Sequence, residues 1–284
     1  MQATIPSLQH IDRRWIYLVL SIALILALLA GKRETPVVMP SVQSFYDAVE
    51  AAPARPGDGK LILVASTFSA STLPENGNQL RAVLRHLMLR KQRFAIFAIA
   101  EPQGAQLGPA IAEDLAKQYG YTYGEDWIAF GYQLGTIALY KTLPRDIPGF
   151  IKTDSVLKKP LSTFPIMRGI NTVSDDVAMH IEVTASDSVF SWIALVQPAT
   201  KPRLKIGYAC TGIMAAEAYP YLDSGQLVGM APGLKGAADY ERLVDELDDQ
   251  LHNKPASAIP YDASKNPLPG LRRTARQLMF TQGV

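Results

Sequence analysis

The chain has 284 residues, 48% hydrophobic and 19% charged, which is enough apolar material for a buried core and argues against a disordered protein. Its 28 basic and 26 acidic residues give a formal net charge of +2, so we expect no nucleic-acid partner. One cysteine cannot form an internal disulfide. The four histidines are scattered and no paired Cys/His spacing occurs, so we predict no metal site and no cofactor.

The strongest local signal is an apolar run near the N-terminus, WIYLVLSIALILALLAG, at residues 15–31. Its 17 residues carry no charge and lie between two basic pairs, Arg13–Arg14 and Lys32–Arg33. This length reaches the short end of a membrane span. The apolar run has three interpretations: a retained membrane anchor, a cleaved signal peptide or a buried core helix. The run exceeds the usual 7–15 apolar residues of a signal peptide, so we predict a transmembrane helix over 15–31 after a short basic tail at 1–14.

The basic pair Arg13–Arg14 directly precedes the apolar run, and this favours an N-terminus on the cytoplasmic side. We therefore expect a single-pass protein of the cytoplasmic (inner) membrane with its globular domain on the extracytoplasmic side. The expected partners are the membrane itself and other membrane proteins.

The rest of the chain alternates between strands and helices. Residues 32–59 form a proline-rich spacer that contains a short helix, Ser41–Ala52. Residues 60–253 carry continuous apolar runs of strand length, separated by helical patterns. Such runs are typical of parallel strands that are buried on both faces, so we predict an α/β domain with a doubly wound, largely parallel sheet. The predicted strands are 60–67, 93–100, 126–132, 177–185, 203–209 and 226–231, and the main helices are 76–91, 108–120, 133–143 and 235–253.

Two segments break this alternation. Residues 143–171 contain four prolines and no clear period, and we predict a long insertion that either covers the edge of the sheet or contacts a partner. Residues 254–284 form a tail that ends in a short basic amphipathic stretch, which suits a membrane surface, a partner or a poorly ordered tail.

Five stretches of the sequence stand out together: DRRWIYLVLSIALILALLAG, LRAVLRHLMLRK, FGYQLG, FPIMRGI and residues 219–241. In combination they resemble a family of uncharacterised bacterial membrane-anchored α/β proteins. The resemblance covers most of the chain and implies a Rossmann-like domain displayed beside a membrane, with no settled activity. Relatives of that family tend to end in a second membrane span, whereas this chain ends in RRTARQLMFTQGV, which is too short and too charged to cross.

Cys210 is one candidate catalytic residue, because it follows a predicted strand and precedes a helix-compatible run. A helix N-terminus at that position could lower the pKa of the thiol and supply an oxyanion hole. However, Tyr208 occupies the position where a nucleophile elbow needs a small residue. His180, the second candidate, alternates with apolar residues of a strand and is expected to be half-buried. For both residues a packing role is the leading interpretation.

A small-ligand site is a further possibility. Residues 66–79 join the first strand to the first long helix, where an anion could meet a helix N-terminus, but no GxGxxG or P-loop pattern is present. A second glycine-rich crossing lies at 223–236. The candidate ligand-binding residues are Ser66, Thr67, Ser69, Ser71, Asp223, Ser224 and Gly225.

These observations leave three functional hypotheses. The first is a non-enzymatic, membrane-anchored accessory or scaffold component of a bacterial membrane assembly, with transport assemblies as one candidate class. The second is a membrane-anchored hydrolase or amidotransferase-like enzyme that uses Cys210. The third is a small-ligand binding module.

Overall fold

The continuous apolar runs of the sequence form the strands of one parallel sheet. The computed structural model describes residues 12–30 and 37–252. Six strands pair in parallel in the order β3-β2-β1-β4-β5-β6, which is the strand order of a doubly wound, Rossmann-like fold. The predicted α/β class is therefore confirmed. The strands are β1 Leu61–Thr67, β2 Phe94–Ile99, β3 Trp127–Gln133, β4 Val177–Thr184, β5 Ile206–Cys210 and β6 Gly229–Pro232.

Helices cover both faces of this sheet, and alternate residues of each strand point into two separate apolar clusters. One face carries α2 Pro40–Glu50, α3 Asn78–Leu89, α4 Gly104–Tyr119 and α10 Gly233–Leu251. The other face carries α5 Ile137–Thr142, α6 Ile147–Phe150, α8 Ser188–Ser191 and α9 Ala215–Asp223. The short helix α7, Val173–Asp176, leads into β4.

The predicted insertion at 143–171 packs along β3, which is an edge strand of the sheet. Its apolar residues, including Ile147 and Ile166, are buried in the cluster on the α5 face. The backbone NH of Ser155 donates to the carbonyl of Ala129 on β3 at 2.9 Å. The sequence left two alternatives for this insertion, coverage of the sheet edge or contact with a partner. The described contacts fit coverage of the sheet edge.

The N-terminal helix α1, Arg13–Ala30, keeps its large apolar side chains from Trp15 to Leu26 exposed. Within the part of the chain that the structure describes, no helix has the length and apolar character required to cross a membrane. The predicted membrane span at 15–31 is thus not confirmed. The tail at 254–284 lies outside the described residues, as do residues 1–11 of the N-terminal tail.

The short helix predicted within the spacer forms as α2 and belongs to the domain core. Val42, Phe45 and Val49 recur at helical spacing and are fully buried. The ring of Phe45 lies over Gly207 of β5, and its backbone lies against Gly229 of β6. A side chain at either glycine would occupy space that Phe45 fills, so these glycines let α2 approach the sheet closely.

A polar cluster joins α2 to α3 and α10. His86 Nε2 lies 2.7 Å from Glu50 Oε1 and His86 Nδ1 lies 2.8 Å from the Tyr240 hydroxyl, while Arg90 Nε donates to Glu50 at 2.7 Å. Burial lowers the pKa of His86, although Glu50 opposes this. Burial acts to raise the pKa of Glu50, but the hydrogen bonds from His86 and Arg90 outweigh it and lower the pKa to about 2. The neutral imidazole then donates to the carboxylate and accepts from Tyr240.

Replacement of Gly229 by alanine should destabilise the fold. The new methyl group would overlap the backbone N and Cα of Phe45, which cannot move without displacing α2. We expect a loss of at least about 3 kcal/mol in the free energy of unfolding, measured by urea denaturation. The matched control is Gly212→Ala, which meets nothing within 4 Å and should change stability by less than about 0.5 kcal/mol. Equal stability of the two variants would contradict the close packing of α2.

Acid should destabilise the protein in two steps. Unfolded chains protonate histidine near the ordinary value of 6.5, whereas folded His86 resists protonation, so stability is lost as the pH falls below 6.5, by up to about 1.4 kcal/mol per pH unit. The depressed pKa of Glu50 adds a further loss as the pH falls from about 4.5 toward about 2. Urea denaturation of the full-length chain across this range measures both steps.

A pair of histidine variants assigns the first step. His86→Gln should weaken the dependence of stability on pH just below 6.5, because the titrating group is gone. His252→Gln removes an exposed histidine and should keep the wild-type profile. An unchanged profile in His86→Gln would show that another group causes the step.

Candidate functional site

All six parallel strands end on the same side of the domain, here called the carboxyl end of the sheet; the opposite side is the amino end. The strand order reverses between β1 and β4, and in doubly wound folds ligands bind in the crevice at this reversal. The carboxyl end of the sheet is therefore the first place to search for a site. It is formed by the connections at 68–77, 100–103, 134–136, 185–187 and 211–214 and by the start of α10.

Two buried polar side chains lie beside this reversal of the strand order. Asn76 Nδ2 donates to the carbonyl of Thr184 at the end of β4 and to Gln79 Oε1. Gln79 Nε2 lies within hydrogen-bond distance of the carbonyls of Cys210, Ala231 and Gly233, at 2.7, 2.9 and 3.2 Å. Both side chains are buried. Asn76 and Gln79 thus satisfy backbone carbonyls at the carboxyl ends of β4, β5 and β6.

The β1 candidates are divided between buried and accessible positions. The Ser66 hydroxyl is buried and lies 3.1 Å from the carbonyl of Phe97 and 2.9 Å from that of Gly104, so it fastens α4 to the sheet. Thr67 is also buried, and its hydroxyl accepts from the NH of Ile99. Ser69 and Ser71 lie nearer the surface, with their hydroxyl oxygens 2.7 Å apart. Of these four residues, only the last two present hydroxyls to a ligand.

The other three candidates lie at the amino end of the sheet. Asp223 ends α9, and Ser224 and Gly225 begin the turn that leads into β6. The Ser224 hydroxyl contacts Gln226 Oε1 at 3.0 Å, and Gly225 has a φ of +69°, which suits a turn. Because α9 runs back along the sheet, the structure does not bring these residues near Ser69 and Ser71. The seven predicted ligand residues therefore form two separate groups.

Cys210 ends β5 and is fully buried. Burial raises the pKa of the Cys210 thiol to about 12, although the neighbouring Tyr208 hydroxyl opposes this. The thiol is consequently neutral at pH 7, and a neutral thiol is a poor nucleophile. This environment favours the packing interpretation of Cys210.

His180 is fully buried rather than half-buried as expected. The expectation failed because β4 is a central strand that helices cover on both faces, so even its polar side is buried. The imidazole stacks on Trp192 at a ring-centroid distance of 3.9 Å, and its Nε2 lies 2.7 Å from Glu182 Oε2. The stacking on Trp192 and the contact with Glu182 together fix the orientation of the His180 imidazole.

The residues around His180 resemble a catalytic triad in composition but not in order. Glu182 is also fully buried, and the Ser188 hydroxyl donates to Glu182 Oε1 at 2.7 Å. The carboxylate thus lies between the serine and the histidine. In a triad the histidine must contact the serine to remove its proton, and the carboxylate contacts the histidine from the other side. This cluster therefore holds the strand and the α8 segment together without providing a general base for Ser188.

Sequence inspection did not single out Glu182, Asn76 or Gln79. A glutamate two residues after His180 on a continuous apolar strand was a usable signal, because a buried charge needs a partner on the same face. Asn76 and Gln79 are spaced for one face of a helix, but nothing in the sequence shows that they reach strands more than 100 residues away. Among the described residues, no group of three or more His, Cys, Asp or Glu side chains is placed to hold a metal ion.

Comparison of the chain with protein-family models, with curated proteins and with solved structures found no match. The resemblance to membrane-anchored α/β proteins is accordingly not confirmed, and it depends on the quoted stretches alone.

Cys210 should be unreactive in the folded protein. At a pKa of about 12 the thiolate fraction is about a thousandfold below that of an unperturbed thiol, and burial also blocks the reagent. Labelling with a disulfide reagent at pH 8 should therefore be very slow in buffer and complete in denaturant. Rapid stoichiometric labelling of the folded chain would instead favour the nucleophile hypothesis.

Proposed function

We propose that the protein is a non-enzymatic, membrane-anchored accessory or scaffold component of a bacterial membrane assembly. Residues 15–31 hold it at the cytoplasmic membrane, and the α/β domain binds membrane-protein partners on the extracytoplasmic side. Transport assemblies are one candidate class.

The observation that carries this proposal is the set of buried hydrogen bonds that Asn76 and Gln79 make at the carboxyl end of the sheet. Enzymes with doubly wound folds place substrates and cofactors in the crevice where the strand order reverses. Here Asn76 and Gln79 bond to carbonyl groups of β4, β5 and β6 beside that reversal. The buried thiol of Cys210 and the triad-like cluster around Glu182 do not supply an accessible nucleophile with a base.

The anchor is supported by the charge-free run between two basic pairs and by the exposure of its large apolar side chains, such as Leu20 and Leu24. Exposed apolar side chains in such a row are costly in water and stable in a lipid environment. The alternative enzyme hypothesis needs a reactive Cys210, and the ligand-binding hypothesis needs its two residue groups to act together. The described geometry favours neither.

The proposal predicts partners that depend on the anchor. A tagged full-length chain, extracted in gentle detergent, should bring down a reproducible set of membrane proteins identified by mass spectrometry. Leu24→Arg places a charge at the centre of the run and should weaken membrane retention, because such a charge costs about 3 kcal/mol there. Leu24→Ile is the matched control and should retain both the membrane and the partners.

Three outcomes would contradict parts of this proposal. A solitary protein in every preparation would remove the scaffold function. Full membrane retention of Leu24→Arg would remove the anchor at 15–31. Protection of the domain from protease added outside spheroplasts would place it on the cytoplasmic side.

A further inference from the structure

Exposed apolar side chains concentrate at the carboxyl end of the sheet. Ile213 follows β5 and is 90% exposed, Val37 precedes α2 and is 85% exposed, and Leu134 follows β3 and is 65% exposed. Ile137 at the start of α5 and Leu73 in the connection after β1 are also exposed at this end. Five other large apolar side chains are exposed among residues 37–252. They are Tyr132 near the end of β3, Val156 and Leu157 in the segment along β3, Tyr219 in α9 and Leu251 at the end of α10.

The two ends of the sheet also differ in charge. The connections at the carboxyl end contain few charged residues, and two of these are engaged: Glu75 accepts from the NH of Gly212, and Lys235 pairs with Asp239. The connections at the amino end are rich in charge. They contain Arg55, Asp58, Lys60, Arg90, Lys91, Arg93, Glu125, Asp126, Arg168, Asp175, Asp176, Lys201, Arg203 and Lys205. A surface with apolar tips and few charges suits a partly apolar environment, whereas the opposite surface suits water.

The chain enters the domain at the carboxyl end. Lys235 Nζ, in the first turn of α10, donates to the carbonyl of Val37 at 3.0 Å, and the NH of Met39 donates to Asp239 at 3.0 Å. These bonds fix the entry point beside the carboxyl end of β6. Three residues separate Arg33, the last basic residue next to the anchor, from Val37, and the four Cα–Cα steps between them span at most about 14 Å.

We infer that the carboxyl end of the sheet docks on the surface of the lipid bilayer, with Ile213 and Leu134 inserted among the lipid headgroups. This inference rests on the proposed membrane anchor, since the anchor brings Val37 close to the membrane. The domain then stands with its strands pointing toward the bilayer and its charged amino end in water.

The spacing of the apolar tips favours a bilayer over a protein partner. Leu134, Leu73 and Ile213 follow strands that are not neighbours, and strands lie about 4.8 Å apart, so polar loop residues separate the tips. A stable protein interface buries about 800 Å² on each partner around an apolar core, and tips that lie apart on separate connections do not form such a core. Each tip that enters the interfacial layer of a bilayer removes its own apolar area from water, so no continuous core is needed there. Because the docking surface has few basic residues, it does not require anionic lipid.

A fluorescence experiment on the full-length chain tests the docking. Ile213→Cys and Leu134→Cys are labelled with an environment-sensitive fluorophore, and Arg203→Cys at the amino end is the matched control. The wild-type chain, whose Cys210 is buried, supplies the labelling blank. Each protein is placed in phosphatidylcholine nanodiscs with and without a lipid that carries a nitroxide quencher near its headgroup. We expect quenching and a blue-shifted emission at 213 and 134, and neither change at 203, at low and high salt alike.

The outcomes separate this inference from the proposed anchor. If the chain stays with the nanodisc but the probes at 213 and 134 behave like the probe at 203, the docking is overturned and the anchor stands. If the chain does not stay with the nanodisc, the anchor fails and the docking fails with it. A photocrosslinker at 213 in native membranes should capture lipid. If the crosslinker captures a protein and no lipid, the partner of this surface is a protein, and the inference is overturned.

Discussion

The whole domain depends on covering a parallel sheet on both faces. A parallel sheet is buried on both faces, so its strands are mainly apolar, and every strand here is buried along most of its length. On one face, α2 covers β5 and β6. Its Phe45 packs directly against Gly207 of β5 and Gly229 of β6. The short helix within the proline-rich spacer is therefore part of the core.

The same constraint explains the buried polar residues. Carbonyl groups at the ends of β4, β5 and β6 would be left without partners under the first long helix, and a buried unsatisfied group costs about 1–3 kcal/mol. Asn76 and Gln79 donate to these groups. The carbonyl groups at the ends of these three strands are thus satisfied by the chain's own side chains.

Much of the fold could be predicted from the sequence because its signals are local. Continuous apolar runs predicted all six strands, and helical spacing predicted α2, α3, α4 and α10 to within a few residues. The exposure of His180 was mispredicted because strand alternation alone does not show which strands are central. The separation of Asp223–Gly225 from Ser69 could not be predicted from the sequence either, because it depends on the direction in which α9 crosses the sheet. The role of Gln79 depends on contacts with β5 and β6, and such long-range contacts leave no pattern in a single sequence.

The coverage of β3 has a consequence for how copies of this chain meet. An open edge strand is a template for pairing between copies. The insertion at 143–171 occupies the free side of β3 through Ser155, and β6 at the other side of the sheet has only four residues. Neither side offers a neighbouring copy a long strand to extend. Copies of this domain can therefore come close together at high concentration without joining their sheets.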